Sequence, residues 1–200
     1  MTATDERQSP VWGVFGGSFN PPHIGHVLAC HFALSVWALD KVLVIPSYQH
    51  PFGKSLESFE HRVAMCQLAF AHVRSFVEVS RAEETRGGLS YTVDTLRALR
   101  NANPAVQLRL IIGSDILQEA QKWRAFDEVK ELAPLLVIPR LQDGQPLGSK
   151  VMSRCYLPDV SSSDLRENLA AGTDVGSALP AAVREYIEEH GLYRRPADAV

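Results

Sequence analysis

Residues 41–46 read Lys-Val-Leu-Val-Ile-Pro, in which the lysine opens an unbroken apolar run over 42–46 where neither odd nor even positions suit a wet surface. A strand with one solvated face alternates; one that is apolar at both parities is covered on both sides, as in the parallel sheets of α/β proteins. Helices must therefore lie on two faces of a sheet. Residues 11–15, 107–112 and 135–138 continue the series, with a short alternating candidate at Phe76 to Val79 and a weak one at Cys155 to Leu157. Between them, apolar residues recur at helical spacing: Val27, Leu28, Phe32, Leu34, Val36 and Leu39; Val63, Met65, Cys66 and Leu68 behind the cap Ser58; Val93, Leu96 and Leu99; Trp123, Phe126, Val129 and Leu132. Strands alternating with helices predict an α/β fold: three layers, Rossmann-like, with a mostly parallel central sheet.

Two hundred residues, 46% of them hydrophobic, suffice for one good core, so residues 1–200 are expected to form a single domain with short tails at 1–10 and 195–200. A net charge of -3 and a pI near 6.2 argue against a nucleic-acid backbone as partner. No apolar run approaches the ~20 residues that span a bilayer, and residues 1–10 lack the apolar core of a secretion signal. A soluble, cytoplasmic protein is expected, with no membrane partner; assembly into a homo-oligomer stays open. Cys30, Cys66 and Cys155 are odd in number and widely spaced, which reads as reduced core thiols.

Loops are expected at Ser47 to Glu57, at Arg81 to Ser90 and at Arg140 to Ser153. Gly172 is placed to end a helix, Pro180 to begin the last one, and His190-Gly191 to close it. The chemistry concentrates where the first strand meets the first helix, at Gly16-Gly17-Ser18-Phe19-Asn20-Pro21-Pro22-His23-Ile24-Gly25-His26. A strand, a glycine turn and a helix start bring backbone N–H groups and the positive end of a helix dipole onto one anion. The spacing is not that of the dinucleotide fingerprint, and no Gly-Lys-Ser/Thr follows as in a P-loop. What remains is His23-Ile24-Gly25-His26, with two imidazoles three residues apart on one helical face and Gly25 leaving that face open.

These residues resemble a family. GGSFNPPHIGH is similar to the GGTFDPPHxGH motif of bacterial nicotinate-nucleotide adenylyltransferases, within the HIGH-type nucleotidyltransferase superfamily. Ser161-Ser-Ser-Asp-Leu-Arg166 resembles that family's SSTxxR phosphate motif, with Ser163 for threonine. Ser90-Tyr-Thr-Val-Asp-Thr-Leu96 matches its SYTxDTL segment, Gly113-Ser-Asp115 its GxD turn, and Val183 to Tyr193 its C-terminal helix and LY ending.

The resemblance implies a nucleotidyltransferase fold and transfer of AMP from ATP to nicotinate mononucleotide, giving the deamido dinucleotide and pyrophosphate. It implies His23, His26 and Arg166 as catalytic residues. Gly16, Gly17, Ser18, Phe19, Lys54, Ser161, Ser162 and Ser163 would hold ATP and its phosphates, and Thr92, Gly113, Asp115 and Trp123 the pyridine nucleotide. Mg²⁺ would ride on substrate phosphates, with no protein metal site. Transfer to nicotinamide mononucleotide or phosphopantetheine, and a nucleotide-binding module without turnover, are the alternatives. A zinc site built from His23, His26, Cys30 and His31 is disfavoured, because a cysteine at helical spacing usually belongs to the core.

Overall fold

The computed structural model describes residues 9–49, 55–142, 145–147 and 157–194. The first βαβ unit runs through β1 (Val11–Gly17), α1 (Ile24–Val36) and β2 (Lys41–Pro46), followed by α2 (Phe59–Ala69), β3 (Val77–Val79), α3 (Ala82–Arg86) and α4 (Thr92–Ala102). Then come β4 (Gln107–Gly113), α5 (Leu117–Ala120), α6 (Phe126–Leu132) and β5 (Leu135–Ile138). A hairpin of β6 (Arg140–Gln142) and β7 (Gln145–Leu147) precedes α7 (Ser162–Ala170) and α8 (Ala181–Glu189).

The main sheet has the order β3-β2-β1-β4-β5, and every pairing in it is parallel. The apolar run of β2 is used as its composition requires. Val42 and Val44 pack on one face with Cys30, Met65 and Val183, while Leu43 and Ile45 pack on the other with Val93, Leu96 and Val129. Full burial of each such side chain stabilises the fold by roughly 1.5–3 kcal/mol. From β1 the chain steps outward to β2 and β3, then returns to place β4 on the opposite flank. That reversal opens a crevice beyond the carboxyl ends of β1 and β4, where ligands of open α/β sheets bind. Among the described residues, no helix is long and apolar enough to cross a membrane.

Several local expectations are corrected. Gly16 and Gly17 are not a turn: they are the last residues of β1, paired with Ile45 and Pro46, and the turn falls on residues 18–22. The stripe expected on α1 is also displaced. Leu28 and Val36 are 38% and 47% exposed, Leu39 lies beyond the helix, and the buried face is Gly25, Val27, Ala29, Cys30 and Ala33. Small residues there let the helix approach the sheet closely. Within the expected loop at 81–90, residues 82–86 form α3, whose Ala-Glu-Glu-Thr-Arg composition favours helix with acids first and arginine last; Gly87, at φ +73°, ends it. The helix expected through Trp123 breaks between α5 and α6, where Ala125 takes φ +52°. The expected loop after Arg140 begins with the β6–β7 hairpin, for which the Asp-Gly pair at 143–144 is the sequence signal. Of the candidate strand at 155–157, Leu157 is a single bridge residue and the other two positions lie outside the described residues.

Candidate active site

The crevice is a cavity of about 620 Å³. One wall is the end of β1 with the start of α1, contributing Gly16, Gly17, Ser18, His23, Gly25 and His26. Gly16 has open space where a side chain would project, so a ligand can lie against its backbone. Gly25 works differently from expectation. A Cβ there would sit 3.0 Å from the His23 ring, so the missing side chain makes room for that imidazole.

The two histidine rings lie 3.8 Å apart between centroids, at 34°. His23 N–H donates to His26 Nδ1 at 3.1 Å. A backbone N–H can only donate, so Nδ1 of His26 is the bare nitrogen and a neutral ring carries its proton on Nε2. Beneath His26 lie Phe19, at 4.9 Å between centroids, and Phe15, at 5.9 Å. Phe19 is 1% exposed, so its ring supports His26 from the core side and only its backbone is left to face a phosphate. Its φ of +47° is a strained conformation for an aromatic residue, costing about 1–3 kcal/mol.

The facing wall carries Thr92, Gly113, Asp115 and Trp123. Thr92 begins α4, Gly113 ends β4, and Trp123 lies in the break between α5 and α6. Trp123 meets Phe126 edge to face, with 6.4 Å between centroids. Sequence reasoning missed Glu83, a buried carboxylate in the same wall. It accepts from Tyr48 N–H at 3.0 Å and from Thr95 Oγ1 at 2.9 Å, tying the loop after β2 to α4.

The Ser161–Arg166 motif is not in the cavity lining; it packs on the loop leading to His23. Ser161 caps α7 by accepting from Ser163 N–H at 3.1 Å, and Ser162 Oγ donates to Pro21 O at 2.9 Å. Arg166 donates from Nη1 to Asn20 O at 2.8 Å and to Ser162 O at 3.1 Å, and from Nη2 to Ser163 Oγ at 3.3 Å. Lys54 lies outside the described residues. The same loop is held from below by Arg62, which carried no sequence signal, and by Tyr193, the last residue of the matching C-terminal segment: Arg62 donates to Ser18 O at 2.9 Å and Glu57 O at 3.0 Å, and Tyr193 Oη to Asn20 Oδ1 at 2.9 Å.

The zinc arrangement does not assemble. Cys30 is fully buried, with its thiol pushed up by desolvation, and His31 pairs with His72 at 2.9 Å between Nε2 atoms. Among the described residues, no three of His, Cys, Asp or Glu group as metal ligands. The cavity instead offers N–H groups at a helix start, two adjacent imidazoles and an aromatic face across from them. That is an arrangement for an anionic, ring-bearing ligand.

The chain is similar to known proteins over most of its length. Residues 14–168 match the cytidylyltransferase-like family. The chain is 41% identical over 180 residues to a Myxococcus xanthus protein named "Probable nicotinate-nucleotide adenylyltransferase", covering 90% of this chain and 93% of that one. It is 39% identical to a protein of the same name from Thermus thermophilus, over 91% and 98% of the two chains. The solved structure of Plasmodium falciparum nicotinic acid mononucleotide adenylyltransferase complexed with NaAD superposes with a TM-score of 0.72 at 18% identity, over 92% and 97%. At that identity the superposition speaks for the fold alone.

Proposed function

The chain belongs to the cytidylyltransferase-like family, among its nicotinate-nucleotide adenylyltransferases, and from that premise we propose how its residues divide the reaction. The reaction is a step of NAD biosynthesis. A 5′-phosphate oxygen of nicotinate mononucleotide attacks the α-phosphorus of ATP, the bond to the bridging oxygen of pyrophosphate breaks, and the deamido dinucleotide forms. Both reactants are polyanions and no protein nucleophile is needed. Catalysis of this kind rests on positioning and on electrostatic stabilisation of the transferring group.

His26 donates from Nε2–H to the α-phosphate as charge develops on it, and His23 contacts the phosphates beside it. The observation that carries this reading is the hydrogen bond from His23 N–H to His26 Nδ1, which fixes the donor on the other nitrogen of a ring lining the cavity. Gly16, Gly17 and Ser18 provide a backbone floor. The turn Ser161-Ser162-Ser163 and Arg166, which pack on the loop leading to His23, are assigned to the β- and γ-phosphates, with Lys54 from the loop after β2. Trp123 and Thr92 take the pyridine ring, an aromatic face suiting a flat cation, and Asp115 beside Gly113 takes a ribose hydroxyl.

Mg²⁺ comes with ATP, held by triphosphate oxygens and water, and neutralises part of the charge there. The test is to incubate the purified protein with Mg-ATP and, separately, nicotinate mononucleotide, nicotinamide mononucleotide and phosphopantetheine, measuring pyrophosphate and the adenylated product. Deamido dinucleotide is expected as the main product. Product from neither pyridine nucleotide overturns the reading, and ATP binding without pyrophosphate release marks a binding module instead.

A further inference from the structure

Residues 18–22 form an irregular loop whose backbone groups cannot all be satisfied by the strand before it or the helix after it. Buried backbone polar groups need partners, so where these go is informative. Ser18 O accepts from Arg62 of α2 at 2.9 Å, Asn20 O from Arg166 of α7 at 2.8 Å, and Pro21 O from Ser162 Oγ at 2.9 Å. The side chain of Asn20, 1% exposed, goes further. Its Oδ1 accepts from Glu57 N–H at 3.1 Å and from Tyr193 Oη at 2.9 Å, while Glu57 O accepts from Arg62 Nε at 3.0 Å. Thus two loops on the same side of the crevice, one after β1 and one after β2, share a single buried network. Its outer member comes from the C-terminal end of the described chain, beyond α8.

Strain marks the same network. Among the described non-glycine residues, positive φ occurs at Phe19, Ala125 and Tyr193, at +47°, +52° and +61°. Phe19 adjoins Asn20, and Tyr193 is the residue that reaches it. Strained backbone persists where surrounding contacts over-determine it, and such places cluster at functional sites. Burial raises the Tyr193 phenol above its ordinary range, so the hydroxyl remains a donor throughout the working pH range.

We propose that Asn20, Arg62 and Tyr193 are positioning residues for the adenylyl transfer: they lock residues 18–22 to Glu57 and so fix where His23 and His26 meet the α-phosphate, with the Tyr193 hydroxyl as the closing clasp. This rests on the assignment of His26 to that phosphate. The three residues are none of those assigned to the pyridine nucleotide, so their loss misplaces the histidines without removing any group that binds it.

The test is Tyr193→Phe, which removes one oxygen and retains the ring. With a buried acceptor short of one donor, kcat is expected to fall about tenfold while KM for nicotinate mononucleotide stays within about twofold. Amide hydrogen exchange over residues 18–26 is expected to quicken. Asn20→Ala should lose at least as much, Asn20→Asp should recover it because an acceptor oxygen is restored, and Asn20→Ala with Tyr193→Phe should be no worse than Asn20→Ala alone. Wild-type kcat and exchange in Tyr193→Phe overturn the proposal, as does a loss of rate accounted for by unfolded protein, or no recovery in Asn20→Asp. If Asn20→Ala does not fold, Tyr193→Phe decides alone. Should the wild-type protein adenylate none of the acceptors, the reading of the reaction fails, and the exchange measurement still judges the clasp.

Discussion

The two ends of the cavity are built in opposite ways. At the β1–α1 end, Asn20 and Arg62 are 1% and 2% exposed, and the carbonyl oxygens of Ser18, Asn20 and Pro21 accept from side chains of α2 and α7. At the β4 end, α5 has four residues, the backbone breaks before Ala125, and the ties between elements include exposed ion pairs such as Arg124 to Asp94 at 3.2 Å. The contrast follows the chemistry assigned to each end. A phosphorus centre is stabilised only by donors held to a fraction of an ångström, whereas a flat ring slides against an aromatic face at little cost. Rigidity is expected to matter for turnover at the first end and for affinity at the second.

The largest effect is expected from His26→Ala. Loss of one preorganised donor should lower kcat by roughly 10²–10³ with the fold intact. Steady-state kinetics with circular dichroism checks both parts, and unchanged turnover would remove His26 from its role. Next is Glu83→Ala, which removes the buried tie between Tyr48 and Thr95. Thr95 Oγ1 keeps Tyr91 O at 3.3 Å as a second acceptor, while Tyr48 N–H loses its partner. Stability should fall by roughly 1–3 kcal/mol in denaturant titrations. A negligible fall would show that the pyridine end is looser still than its buried carboxylate suggests.

How much of this was legible differs between the ends for the same reason. The phosphate end is written in contiguous residues, Gly16 to His26, because a strand end and a helix start are adjacent in the chain. β2 could be read over 42–46 since burial on both faces leaves no polar position there. Asn20, Arg62 and Tyr193 could not be read as a group: the Asn20 to Tyr193 contact joins residues 173 positions apart, and no local pattern encodes that. The burial of the Phe19 ring was not legible either, since a motif position shows proximity to the site but not which way the side chain turns. At the other end, helical spacing ran Trp123 into Phe126 and Val129, and only tertiary packing shows the break at Ala125.

A third prediction concerns Trp123→Ala. If the ring stacks on the pyridine, KM for nicotinate mononucleotide should rise about tenfold, within the range of about 0.5–2 kcal/mol for such contacts, while kcat changes little. A drop in kcat at unchanged KM would mean that this end also positions the reacting atoms, and the division between the two ends would fail.

The smallest effect is expected from Arg124→Gln. Arg124 borders the cavity, lies over the Tyr91 ring at 5.1 Å and pairs with Asp94, so it could be taken for a substrate ligand. Its side chain, however, is 57% exposed, and Asp94 already pairs with Arg97 at 3.1 Å. An exposed pair in water is weak and screened by salt, and removing one member leaves Asp94 still partnered. The thermal midpoint should therefore move by no more than about 2–4 °C, and that shift should shrink further at high salt. KM for both substrates should stay within about twofold. A manyfold rise in KM for nicotinate mononucleotide would instead place the guanidinium on the substrate phosphate. The β4 end would then hold charge as well as a ring, and its looser construction would need to tighten when substrate binds.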